Sequence, residues 1–132
     1  MSEKRILVVD DTPANLKLVR VVLSSAGYLV RGCRDARETL RAVEEEPFDL
    51  VLMDLRLPGV DGFELTRRLR QDPRFQHVPI LALTAYAMHA DKLAALEAGC
   101  DTVLTKPIDT RTLADTIARF IDRGRGKEGS AT

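Results

Sequence analysis

The sequence predicts an α/β fold, a doubly wound five-stranded parallel sheet with helices on both faces. Three observations carry that expectation. Short apolar runs alternate five times with longer helical stretches, and such alternation argues for parallel strands joined by helical crossovers. The runs are apolar without interruption, as in Ile6-Leu7-Val8-Val9 and Leu50-Val51-Leu52-Met53; strands covered on both faces read that way. The length, 132 residues with 45% hydrophobic side chains, suits one compact domain. The usual strand order at this length is 2-1-3-4-5.

The elements follow in order. Residues 5–10 form the first strand. Pro13 opens a helix to Ala26, because a missing N–H does no harm at the first helical position; Thr12 is placed to cap it. Leu16, Val19, Leu23 and Ala26 recur on one face, and Gly27 stops the helix. Residues 28–33 make the second strand. Asp35 caps a helix to Glu46 with Ala36, Leu40 and Val43 inward, and Pro47 ends it. Residues 49–54 are the third strand. Residues 57–62, LPGVDG, have loop chemistry. A helix over 61–71 buries Phe63, Thr66 and Leu69, with Asp61 as its cap. Residues 78–84 form the fourth strand, 87–98 a helix closed by Gly99, 101–105 the fifth strand. Lys106-Pro107 breaks the chain before a last helix over 109–123, whose stripe is Leu113, Ile117, Phe120 and Ile121. One domain spans residues 1–123. Residues 124–132 are Gly-rich and charged, a tail expected to fray.

Ligands of such sheets bind beyond the carboxyl ends of the strands, where strand order reverses. That point lies between the first and third strands. The first strand ends in Asp10-Asp11, the third in Asp54, the fourth in Thr84, and the fifth just before Lys106. Three carboxylates in one cleft repel one another. A divalent cation relieves that, and carboxylate, carbonyl and water ligands suit Mg²⁺ or Mn²⁺. Lys106 adds a second positive charge and Thr84 a hydroxyl donor. Metal, lysine, positioned donor and an oxygen nucleophile are what a transferring phosphoryl group needs, and aspartate can form an aspartyl phosphate. Taken singly, each residue has a structural reading as a cap, a packing residue or a loop; their joint placement at one edge carries the functional one.

Composition excludes several classes. The 20 basic and 20 acidic residues cancel, so nothing steers the chain to nucleic acid or an anionic membrane. Arg67, Arg68 and Arg70 read as a solvated helix face. No apolar run approaches the roughly 18 residues of a membrane span, and the first run is too short for a signal peptide; a cytoplasmic location is expected. Cys33 and Cys100 read as free buried thiols. Tyr28, Phe48 and Phe75 read as packing residues, and Asp101 as a strand lead-in. His77 and His89 fall away from the cleft and are not phosphoryl carriers.

Four blocks together resemble the receiver domain of response regulators: ILVVDD at 6–11, LMDLRLPGVDGFEL at 52–65, LTA at 83–85 and TKP at 105–107. The likeness covers residues 4–123 and implies a flavodoxin-like, receiver-type fold. It implies that Asp54 is the phosphoacceptor and that Mg²⁺ is held by Asp54, by Asp11 directly, by Asp10 largely through water, and by the backbone carbonyl of Arg56. It implies that Thr84 is the switch residue, that Lys106 pairs with the phosphoryl group, and that the Lys106–Pro107 peptide is cis. The implied donor is a phosphohistidine on a histidine kinase or phosphotransfer domain. The chain would be a stoichiometric acceptor that catalyses its own phosphorylation and dephosphorylation, not a turnover enzyme. LTAYAM and TKPID are similar to single-domain regulators and to hybrid-kinase receivers. The expected output is a protein partner reading the helix-four, strand-five, helix-five face, the nine-residue tail being too short for a DNA-binding effector; a receiver cut from a longer protein is the alternative reading. Arg56 and Tyr86 stand where self-hydrolysis is tuned, and a bulky pair there would lengthen phosphoryl lifetime.

One position departs from the family. The aromatic residue often found three places before the lysine is Val103 here, so an aromatic rotation cannot operate. Other readings remain. A haloacid-dehalogenase-type phosphohydrolase needs Asp-x-Asp at the first strand end, but here Asp10-Asp11 are adjacent. A pseudo-receiver usually lacks an acid or the lysine. A flavodoxin-like cofactor binder needs a phosphate-cradling loop where this chain has acids.

Overall fold

The computed structural model describes residues 3–57, 61–85 and 89–123. Its elements are β1 (Arg5–Val9), α1 (Pro13–Ser25), β2 (Leu29–Cys33), α2 (Ala36–Glu45), β3 (Leu50–Asp54), α3 (Gly62–Gln71), a 3-10 turn (Pro73–Phe75), β4 (Ile80–Thr84), α4 (His89–Ala98), β5 (Thr102–Thr105) and α5 (Leu113–Arg123). The strands form one sheet in the order β2-β1-β3-β4-β5. Every neighbouring pair is parallel. The doubly wound fold expected from the sequence is therefore the fold observed.

The continuous apolar runs divide between two cores. On one face Leu7, Val9, Val51, Met53 and Ala82 pack with Ala42, Val43, Leu65, Leu69 and Ala95 of α2, α3 and α4. On the other, Ile6, Val8, Leu50, Leu52, Leu81 and Leu83 pack with Val19, Leu23, Leu113 and Ile117 of α1 and α5. Neighbouring residues of a strand point to opposite faces, and both faces of the central strands β1, β3 and β4 are covered, so their interior positions stay apolar up to the carboxyl end. Burying each such Leu or Ile contributes about 1.5–3 kcal/mol.

Several boundaries and faces differ from the sequence reading. Thr12 is the N-cap of α1 but its side chain makes no cap bond; its backbone N–H instead donates to Asp10 Oδ1 at 2.9 Å. Ala26 lies past the end of α1 and is exposed, while Gly27 takes φ +98° as a helix stop does. In α2 the buried residues are Thr39, Ala42 and Val43; Ala36 and Leu40 are only partly buried against the same core. In α3 Leu65 is buried and Phe63 only partly so. The last helix starts at Leu113, not Asp109. Asp109 folds its own turn first, its side chain accepting from the Arg111 N–H and its carbonyl from Thr112 and Leu113. The caps at Asp35 and Asp61 accept from Glu38 and Glu64 as expected. The loop at 58–60, Tyr86 to Met88, and the tail at 124–132 lie outside the described residues.

Arg70 is the main correction. It is not on a solvated face: its guanidinium donates to the carbonyls of Gly99 (2.9 Å), Val78 (2.7 Å) and Phe75, and pairs with Asp101 at 2.9 Å. Asp101 also accepts the Ile80 N–H, so this strand lead-in ties α3 to the starts of β4 and β5.

Candidate functional site

The sheet delivers its polar residues to one edge. Asp10 follows β1 directly, with its N–H bonded to the Cys33 carbonyl of β2 at 2.9 Å. Asp54 and Thr84 close β3 and β4, which pair in register one step earlier, Asp54 opposite Leu83. Lys106 follows β5, and its N–H donates to the Thr84 carbonyl at 2.8 Å. Asp10, Asp54 and Thr84 are buried, at 1%, 3% and 3% exposure, whereas Asp11 is exposed. All the predicted side chains thus come to the carboxyl edge. The Lys106–Pro107 peptide is cis.

The carboxylates converge. Asp10, Asp11 and Asp54 each offer an oxygen within 4.8 Å of the others. Lys106 Nζ lies 2.9 Å from Asp54 Oδ2 and 3.3 Å from Asp10 Oδ2. The other Asp54 oxygen accepts the Arg56 N–H at 2.9 Å, which turns the chain just after the strand. Burial pushes the Asp54 carboxyl above the ordinary range; the Arg56 amide and the Lys106 ammonium pull it back, and Asp10 raises it further. Burial opposes charge on Lys106, but the Asp54 and Asp10 carboxylates outweigh it and raise its pKa, so the ammonium persists.

This donor set fits a hard divalent cation. It consists of carboxylate oxygens, with no sulfur or imidazole ligand in the cluster. Lys106 pairs with two of the three acids, Asp10 and Asp54, so negative charge remains for a cation to neutralise. A cleft of about 510 Å³ opens over the edge, lined in part by Asp11, Arg56 and Thr84, and also by Asp61 and Asp91. The sequence reading assigned Asp61 only a cap and passed over Asp91; the latter's signal is its place in the first turn of α4. It also passed over Asn15, whose Nδ2 lies 3.4 Å from Asp10 Oδ2. Val103 is partly buried against the core, and Tyr86 lies outside the described residues.

A profile of the response regulator receiver domain matches residues 6–118. The chain belongs to this family. As a receiver it is a module of two-component signalling, and its relatives include both sensor-kinase receivers and single-domain regulators. It is 44% identical over 119 residues to the sensor histidine kinase GacS of Pseudomonas protegens, covering 88% of this chain and 13% of GacS. It is 35% identical to the polar-differentiation response regulator DivK of Brucella anthropi, covering 89% of this chain and 96% of DivK. Among solved structures it is similar to the receiver domain of a Pseudomonas aeruginosa sensor histidine kinase, with a TM-score of 0.83, 36% identity, and coverage of 92% of this chain and 99% of that one. That receiver was solved with a magnesium ion coordinated in its active-site cleft. No helix among the described residues is long and apolar enough to cross a membrane.

Proposed function

We propose that this receiver accepts a phosphoryl group on Asp54 from a phosphohistidine of a histidine kinase or phosphotransfer domain. The observation that carries the proposal is the setting of Asp54: buried, its Oδ2 paired with Lys106, and Asp10 and Asp11 close enough to share a cation with it. Asp11, Asp54 and the Arg56 carbonyl would hold Mg²⁺, with Asp10 acting largely through water; Mn²⁺ shares the same oxygen preference. Bound there, the ion supplies the positive charge that offsets the acids and the phosphoryl oxygens.

The chain's own residues do the rest. A carboxylate oxygen of Asp54 attacks phosphorus, a P–O bond forms, and the P–N bond to the donor imidazole breaks with its electron pair returning to nitrogen. Lys106 pairs with the phosphoryl oxygens and remains charged because its carboxylate neighbours favour the ammonium. Thr84 donates its hydroxyl to a phosphoryl oxygen and reports the phosphorylated state. Arg56 and Tyr86 hinder attacking water, so hydrolysis is slow. Each chain accepts one group, which makes it a stoichiometric acceptor rather than a turnover enzyme. The unit is residues 1–123, acting in the cytoplasm. A protein partner, not DNA, reads the α4–β5–α5 face, by a route that does not use aromatic rotation at Val103.

The test is intact mass after incubation with Mg²⁺ and a small acyl phosphate, with Asp54→Asn in parallel. Wild type should gain one phosphoryl group, the variant none, and a chelator should abolish the gain. An equal gain in Asp54→Asn would remove Asp54 from its role. Decay of the phosphorylated species within seconds would contradict the shielding by Arg56 and Tyr86.

A further inference from the structure

Gly62 is the first residue of α3 and is buried. Its backbone does not require glycine: among the described residues the glycines with positive φ are Gly27 and Gly99. An alanine would extend the helix better. Space is what excludes a side chain. A Cβ at residue 62 would lie 2.3 Å from the Asp54 carbonyl oxygen, 2.6 Å from Leu55 Cα and 3.1 Å from the Asp54 carbonyl carbon. All three are backbone atoms of the segment that bears Asp54, and none can swing aside. At Gly99, by contrast, a Cβ would meet Arg70 Cγ at 2.6 Å, a side-chain atom at the opposite edge of the sheet.

The close approach is also bonded. The Gly62 N–H donates to the Leu55 carbonyl at 3.0 Å, and the Leu55 N–H to Leu83 at 3.0 Å. Between them the Arg56 N–H holds Asp54 Oδ1. Asp61 steadies the same helical turn by accepting the Glu64 N–H at 2.8 Å. The first turn of α3, the Leu55–Arg56 backbone and the Asp54 carboxylate therefore form one continuous set of contacts.

We propose that Gly62 is a positioning residue for the phosphoryl site: its missing side chain lets α3 seat against the Asp54–Leu55 backbone and so sets the Asp54 carboxylate and the Arg56 carbonyl for the cation. The inference rests on the metal reading of the cleft. A side chain at 62 must push that backbone off the helix, and the ligands move with it. Groups that orient metal ligands commonly change affinity by about 10–100-fold when altered.

The experiment is calorimetric titration of Mg²⁺ into wild type, Gly62→Ala and Gly99→Ala, each verified as folded by circular dichroism. The control carries its clash away from the cleft, so it loses stability without touching the site. Expected are a dissociation constant raised at least about tenfold in Gly62→Ala and one within about twofold of wild type in Gly99→Ala. Equal affinity in wild type and Gly62→Ala overturns the inference while the metal reading stands. No binding by wild type overturns the metal reading, and this inference with it. If Gly62→Ala does not fold, amide spectra of wild type decide: the Gly62 N–H resonance should shift with added Mg²⁺ while Gly99 stays in place, and an unmoved Gly62 resonance overturns the proposal.

Discussion

The two edges of the sheet use charge in opposite ways. At the amino edge three acids meet close partners: Asp101 has Arg70 and the Ile80 N–H, Glu46 has Arg5 and Arg31 at 2.7 Å each, and Asp49 accepts the Arg5 N–H at 2.8 Å. At the carboxyl edge Asp10, Asp11 and Asp54 crowd within 4.8 Å around Lys106. One edge is neutralised from within and binds elements together. The other keeps an excess of negative charge, which suits a cation. Functional sites are where local consistency is relaxed, and here the contrast lies across the length of a few strand residues.

The contrast predicts how substitutions divide. The largest effect is all or none: Asp54→Asn should abolish phosphorylation read by mass, whereas Arg70→Ala should leave phosphorylation per folded molecule intact. Phosphorylation lost in folded Arg70→Ala would erase the distinction between the edges. Arg70→Ala should instead lower unfolding free energy by about 3 kcal/mol in urea, because it removes a largely buried ion pair with Asp101 and the donor shared by three backbone carbonyls. Next comes the cation. Mg²⁺ at tenfold excess over its dissociation constant should stabilise wild type by about 1.4 kcal/mol, and this gain should survive Arg70→Ala and vanish in a variant lacking Asp11. Smaller still is Arg74→Ala. Arg74 pairs with Asp72 and Glu44 on a half-exposed surface, so its loss should be under about 1 kcal/mol by the same urea measurement.

The subtlest effect concerns Cys33, which burial pushes from the ordinary value of 9.0 up to about 11. The unfolded chain's thiol ionises from 9.0 upward while the native thiol holds its proton to about 11. Stability should therefore fall as pH rises through that window, since the unfolded state binds fewer protons there. Cys33→Ala should flatten the decline, and alkylation of the native protein at pH 8 should be slow. A pH dependence unchanged in Cys33→Ala would assign the decline to other groups.

The carboxyl edge was legible in the sequence because its rule is simple. A strand covered on both faces stays apolar until it ends, so the first polar residue after each run marks the edge. Asp10, Asp54 and Thr84 were found that way, and Lys106 as the residue that follows the fifth strand. The amino edge was not. Arg70 looks like a helix-surface arginine because its partners are carbonyls and a carboxylate at 75, 78, 99 and 101, and no local pattern announces backbone acceptors so far along the chain. Gly62 hid for a related reason. In sequence it is the glycine of a loop, and its reason for being small is a contact with Asp54 and Leu55. Helix ends failed where side chain and backbone compete, as at Thr12 and Asp109.

The strand order has a consequence in time. Asp54 and Lys106 meet across 52 residues of sequence, and the sheet places β5 at one end of its order. A chain emerging from the ribosome can form β1, β2 and β3 with their acids well before Lys106 exists to meet them. Contacts of such sequence separation close late, after their loop entropy has been overcome. The acids of the site are therefore made before the lysine that they meet, and the Asp54–Lys106 contact waits on the last strand of the sheet.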